Sequence, residues 1–208
     1  MCNGEENSSE RLPDRQESPV KEAISSAALE LFAQNGFGQT SVRDIVNKAG
    51  TTLPMVYYYF DSKQGLYSYI LRQAAARLLD STDPDQTRKS LTAIERLETG
   101  IASFIHFCQT NEAEVQLIFQ AWFAGDLPPD GPSIIGIYEK MVRQIAAILQ
   151  SGIESGEFRE LDIWEASQAL IGIMTNYVAR ILVGNEAFRP VEQSQRIVEL
   201  LAKGLENT

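Results

Sequence analysis

The sequence predicts an all-α protein, with an N-terminal three-helix helix-turn-helix domain and a larger C-terminal helical domain. Three observations carry that prediction. From residue 20 onward apolar residues recur at the three-and-four spacing of one helical face. The interruptions carry Gly, Pro, Asn and Asp, which punctuate helices. No stretch alternates with period two between turn residues. Val56-Tyr-Tyr-Tyr-Phe60 is β-prone by composition, but Thr52 ahead of it and the short spacing on either side assign it to a helix.

The elements follow in order. Residues 1–17 are polar, rich in Glu, Ser and Asn, and read as a disordered arm. Ile24, Ala27, Ala28, Leu31 and Phe32 form the face of a first helix over 20–35, stopped by Gly36. Ser41-Val-Arg-Asp44 is a capping box opening a short helix through Ile45, Val46 and Ala49, which Gly50 ends. Thr51 and Thr52 are good N-caps for a second short helix at 53–59. Asp61-Ser-Lys-Gln64 opens a longer helix through Leu66, Ile70, Leu71, Ala74 and Leu78, which Asp83-Pro84-Asp85 breaks. Five more helical patterns run near 86–110, 112–124, 133–155, 162–184 and 190–206. The domains are therefore expected at 18–62 and 63–208, after the arm.

The 208 residues carry 28 Asp and Glu against 18 Lys and Arg, a net charge of −10. Such acidity ordinarily opposes nucleic-acid binding. The charge is uneven, however. Residues 1–17 carry −3, residues 18–80 carry +1 and residues 81–208 carry −8. No apolar run approaches the roughly 18 residues of a membrane span, so no membrane partner is expected. The first residues lack the apolar core of a secretory signal, and a cytoplasmic protein is the expectation. Cys2 and Cys108 make no disulfide framework. His106 and Cys108 stand two positions apart on one helix, hence on different faces, and make no metal site. Nothing calls for a cofactor. No nucleophile–base pair, metal cluster or glycine-rich phosphate loop points to an enzyme.

The informative stretch is 40–66. Two short helices are joined by Ala49-Gly50-Thr51-Thr52, too short to lay them antiparallel, so they cross steeply. This is helix-turn-helix geometry, in which the second helix can enter a DNA major groove.

The stretch GFGQTSVRDIVNKAGTTLPMVYYYFDSKQGL (36–66) resembles the DNA-binding domain of the TetR-type (tetracycline-repressor-like) transcriptional regulators. Gly36, Thr40, Ile45, Ala49-Gly50, Thr52, Tyr57, Tyr59-Phe60, Lys63 and Leu66 all stand at that family's spacing. The segment Gly152-Ile-Glu-Ser-Gly-Glu-Phe-Arg159 adds a loop similar to one common in the family. The resemblance implies DNA contacts at Thr40, Ser41, Arg43, Thr51, Thr52, Leu53, Pro54, Met55, Tyr57, Tyr58 and Lys63. Helix N-termini at Thr40–Ser41 and Thr52 can meet phosphates, as Lys63 does in the family. Arg43 divides evenly between DNA contact and a solvated face. Ile45, Ala49, Phe60 and Leu66 are core residues, and Tyr59 is a packing aromatic.

The chain also departs from the family. Where Val-Ser-Lys-Gly commonly follows the turn glycine, this sequence has Thr51-Thr52-Leu53-Pro54. A phosphate-binding cation is missing, so fewer phosphates are neutralised and the salt dependence is shallower. Leu53 and Met55 offer apolar contacts to thymine methyls instead.

The resemblance also implies a small-molecule pocket in the C-terminal helices. Candidates are Phe104, Phe107, Cys108, Trp122, Phe123, Met174, Asn176 and Tyr177, although aromatic stripes at helical spacing are usually core. Asn176 either holds a ligand or bonds across a subunit interface. The last two helices carry more apolar faces than a compact monomer readily covers: Ala166, Leu170, Ile173 and Ile181, then Val191, Val198 and Leu201. A two-fold dimer would cover them and would read a pseudo-palindromic operator with half-sites one helical turn apart. The expected function is a ligand-responsive transcriptional regulator, a repressor released from its operator by a small molecule. The alternative is an α-helical ligand-binding or adaptor protein with a vestigial helix-turn-helix, to which the unusual Leu53-Pro54 lends weight.

Overall fold

A computed structural model describes residues 18–83, 91–124, 131–184 and 187–205. The arm at 1–17 lies outside the described residues, as do Pro84 and Asp85 and most of the punctuation at 125–132. All regular structure among the described residues is helical. The elements are α1 (Pro19–Gln39), α2 (Val42–Ala49), α3 (Leu53–Phe60), α4 (Lys63–Ser81), α5 (Ala93–Thr110), α6 (Glu112–Ala124), α7 (Ile134–Glu154), α8 (Ile163–Leu182) and α9 (Pro190–Leu205).

Most boundaries follow from local chemistry. The Ser18 hydroxyl accepts from the Val20 amide and caps α1, whose first residue is Pro19. Gly36 breaks the helical path inside α1 (φ 78°, ψ 164°), so Phe37–Gln39 forms a separate turn. The expected Ser41/Asp44 capping box is present at α2, and Gly50 takes the left-handed conformation (φ 63°) that ends it.

Two starts differ from expectation. The cap of α4 is Ser62, whose hydroxyl accepts from the Gly65 amide; Asp61 instead adopts φ 61° as the C-cap of α3. Helix α5 begins at Ala93 rather than near 86, because Thr92 and Glu95 form a second capping box. The Glu157 carboxylate also accepts from the Ala93 and Ile94 amides at 2.8 and 2.9 Å. The loop after α7 thus closes the N-terminus of α5.

Helices α1–α3 pack around Ile24, Phe32, Ile45 and Val56. The first half of α4 completes that core with Leu66 and with Tyr67, whose ring meets the Phe32 ring edge-on at 5.1 Å. Gly65 lets α4 turn tightly off α3, since a Cβ there would lie 2.1 Å from the Phe60 carbonyl oxygen. The second half of α4 enters the C-terminal bundle, where α5 packs on α7, α8 and α9, and α7 on α8. Helix α6 lies between the two parts, against both α1 and α4.

Candidate functional site

The exposed surface of the helix-turn-helix is built by α2 and the first turns of α3 and α4. Val56 and Phe60 anchor the inner face of α3 in the core. The outer face then falls to Thr52, Leu53, Pro54 and Tyr57, all exposed, with Leu53 40% and Tyr57 46% accessible. Thr52, Leu53 and Pro54 fan around the exposed first turn, and Tyr57 stands at i+3 from Pro54 on its side of the helix. Thr52 is the N-cap by backbone geometry, but its hydroxyl makes no capping bond.

The other predicted contacts are placed less uniformly. Thr40 is 2% exposed, and its hydroxyl donates to the Leu31 and Gly36 carbonyls at 3.1 and 2.9 Å. It secures the kink in α1, so its side chain is withdrawn from any phosphate. Ser41 is exposed, but its hydroxyl donates to Asp44 Oδ2 at 2.6 Å and accepts from the Asp44 amide. The Ser41 hydroxyl, and the Ser41 amide that also donates to Asp44 Oδ2 at 3.1 Å, hold the Asp44 carboxyl below its ordinary pKa. The N-terminus of α2 therefore already faces a carboxylate, which opposes a second anion there. Arg43 is exposed, whereas the neighbouring cation Lys48 is paired with Glu30 at 2.8 Å.

Thr51 is half-buried in the turn, its amide donating to the Val46 carbonyl. Met55 is half-buried against the core, and Tyr58 is half-buried with its ring edge-on to Tyr59 at 5.0 Å. Tyr59 is committed as well, its hydroxyl donating to Ser18 Oγ at 2.9 Å. Lys63 lies with its ammonium 4.2 Å from the centre of the Phe37 ring. Partial burial lowers its pKa.

A second candidate site lies in the C-terminal bundle. A cavity of about 110 Å³ opens between α4, α5, α6, α7 and α8, lined by Phe104, Phe119, Trp122, Phe123, Tyr138 and Met141 among others. A smaller cavity of about 30 Å³ adjoins it, lined by Ile101, Met141, Gln144, Ile148 and Met174 among others. Met141 lines both. The few polar groups of the walls are largely occupied. Tyr138 bonds Gln168 at 3.2 Å, Thr82 donates to Gln144 Oε1 at 3.1 Å, and Gln144 donates to the Leu79 carbonyl at 3.2 Å. Among the described residues no charged side chain lines either cavity.

Of the pocket residues expected from the sequence, Phe104, Trp122 and Phe123 line the larger cavity and Met174 the smaller. Phe107 and Cys108 are instead buried in the core, and burial pushes the Cys108 thiol up to about 12. Asn176 is exposed on α8. Tyr177 joins α8 to the segment before α9, its hydroxyl bonded to Gln193 at 3.0 Å and its ring edge-on to Phe188. The wall supplied by α7 was missed from sequence; its apolar periodicity there fits core and cavity alike.

The apolar faces of α8 and α9 are also placed differently. Leu170, Ile181 and Val198 are buried within the protomer, so they are core rather than interface. Ala166 and Ile173 are half-buried, Val191 is 62% exposed, and the side chain of Leu201 lies outside the described residues. The exposed face of α8 is shifted onto Ala169, Gly172, Asn176, Ala179 and Val183.

Two connections tie α6, which supplies part of the cavity wall, to α1 and α4. Gln120 on α6 donates to the Ala33 carbonyl of α1 at 2.8 Å. Arg77 on α4 bonds Glu114 at 2.5 Å and Asn111 at 2.6 Å, at the start of α6. Among the described residues no three His, Cys, Asp or Glu gather as a metal site, and no helix is long and apolar enough to cross a membrane.

Comparison with known proteins agrees with this layout. The profile "Bacterial regulatory proteins, tetR family" matches residues 24–70. The fatty acid metabolism regulator protein of Bacillus subtilis strain 168 is 26% identical over 195 residues, covering 93% of this chain and 99% of the relative. A regulatory protein in the tetR family from Rhodococcus RHA1 shares the fold, with a TM-score of 0.76 at 21% identity, covering 92% of this chain and 100% of that one. The transcriptional regulator FadR from Bacillus subtilis, solved in complex with stearoyl-CoA, aligns with a TM-score of 0.65 at 25% identity, covering 88% of this chain and 98% of that one. These relatives are transcriptional regulators rather than enzymes. With its helix-turn-helix exposed at the expected position, the chain carries a tetR-type DNA-binding domain at residues 24–70 and resembles, over most of its length, helix-turn-helix transcriptional regulators.

Proposed function

We propose that the protein is a homodimeric, non-enzymatic repressor, acting in the cytoplasm, which leaves its operator when a molecule with a long apolar chain enters the C-terminal cavities. The observation that carries this reading is the pair of adjoining apolar cavities with few unspent polar groups in their walls. An apolar chain gains from such a site, and a compact polar ligand loses its water without compensation. FadR of Bacillus subtilis, with stearoyl-CoA bound, supports the same ligand class.

The coupling follows from α6. Phe119, Trp122 and Phe123 face the larger cavity, while Gln120 holds α1 and Glu114 holds α4. A ligand that displaces α6 shifts α1 and α4 relative to the bundle and changes the separation of the two α3 helices in a dimer. This is allostery only if the ligand binds the two arrangements differently. On this reading residues 18–62 read DNA, residues 63–208 sense and dimerise, and α4 belongs structurally to both.

The test is fluorescence anisotropy on an operator duplex obtained by in vitro selection. Stearoyl-CoA is expected to lower the affinity of the full-length protein roughly tenfold or more, within the usual range of allosteric coupling. Free coenzyme A is expected to have no effect. Unchanged affinity across a chain-length series of saturated acyl-CoA thioesters and free fatty acids would refute the apolar-effector reading.

A further inference from the structure

The outer face of α3 has an unusual chemistry for a helix that reads bases. The whole helix, LPMVYYYF, contains no Arg, Lys, Asn, Gln, Asp or Glu. Bidentate recognition of guanine needs Arg or Lys, that of adenine needs Asn or Gln, and cytosine is read by a carboxylate. None of these is available on α3. Met55, Val56 and Phe60 are turned into the core or against it. Tyr58 is half-buried against Tyr59, and Tyr59 is spent on Ser18. What α3 presents outward is the aliphatic pair Leu53 and Pro54, flanked by the Thr52 side chain and the Tyr57 phenol. The base-edge feature that aliphatic carbon recognises in the major groove is the C5-methyl of thymine.

We propose that this regulator selects its operator through thymine methyl groups, with Leu53 and Pro54 as the specificity-determining side chains. The inference rests on the DNA-binding reading and adds the chemistry by which bases are distinguished. Leu53 and Pro54 adjoin on the first turn of α3, so they address neighbouring base pairs. Their contact excludes water from the methyl and is lost when the methyl is removed, with no hydrogen bond changed.

The experiment uses full-length protein. An operator is first selected from a random duplex library, and each thymine of a half-site is then replaced by deoxyuridine, which lacks only the C5-methyl. One or two such replacements are expected to weaken binding about fourfold each, the effect of one buried methyl-sized group. Leu53→Ala is expected to abolish the difference between thymine and deoxyuridine at one of those positions. Leu53 is exposed, so far-UV circular dichroism should show an unchanged fold. Affinity unchanged by deoxyuridine at every position overturns the proposal while leaving DNA binding intact. So does a deoxyuridine effect that persists in both Leu53→Ala and Pro54→Ala. If selection enriches no sequence, the DNA-binding reading itself fails and the inference falls with it.

Discussion

At the scale of single residues, Glu114 joins stability to pH. Its side chain is nearly buried, one carboxylate oxygen accepts from Arg77, and the other is buried without a hydrogen-bond partner. Burial raises its pKa above the ordinary 4.5, and the charge and hydrogen bond of Arg77 offset only part of that rise. A carboxyl whose folded pKa is raised binds its proton more tightly in the native state. Its contribution to stability is present below the ordinary value and is lost as pH rises through the folded value. Urea unfolding from about pH 4 to about pH 8 should therefore show a declining component that Glu114→Gln removes. A pH profile identical in the variant would contradict this. The Ser41/Asp44 box was legible in the sequence because both partners lie within one turn. The role of Thr40 was not, because its acceptors are backbone carbonyls of α1, one of them nine residues back.

At the scale of elements, α6 has two jobs with separable side chains. The hydrogen bond from Gln120 to Ala33 lies on the side facing α1, away from the ligand wall. Gln120→Ala should leave ligand affinity within about twofold and reduce the operator response to stearoyl-CoA by roughly three- to tenfold, the worth of one such hydrogen bond. Isothermal titration with the ligand, beside anisotropy with and without it, distinguishes the two effects. An unchanged response would place the coupling in the Arg77 connection. The helices were largely legible from periodicity and punctuation, and the cavities were not. A cavity is missing volume, and the apolar pattern of α7 is the same whether Met141 meets another side chain or a void. The capping of α5 by Glu157 was hidden for a related reason, since its partners lie more than sixty residues away in sequence.

At the scale of the whole molecule, the exposed face of α8 offers a surface for a second copy. Ala169, Gly172, Asn176 and Ala179 are small or polar, and small residues let two helices approach closely. A Cβ at Gly172 meets nothing within 4 Å, so a larger residue there does not disturb the protomer. Gly172→Arg should convert the dimer to a monomer of unchanged helicity, read by light scattering. Operator affinity should fall on the order of a hundredfold, because two linked half-site contacts become one. A Gly172→Arg protein that remains dimeric would move the interface elsewhere. The sequence pointed to α8 and α9; of the residues it marked there, Leu170, Ile181 and Val198 turn into the protomer core while Val191 is exposed. An interface between close-packed helices is signalled by small residues, which hydrophobic periodicity overlooks. Met141 carries one more consequence. A methionine side chain is flexible and can swing aside, so the partition between the two cavities is a movable stop rather than a wall. On the proposed reading, a short apolar chain would end in front of it and a long one would have to displace it, so that a single thioether would grade effectors by chain length.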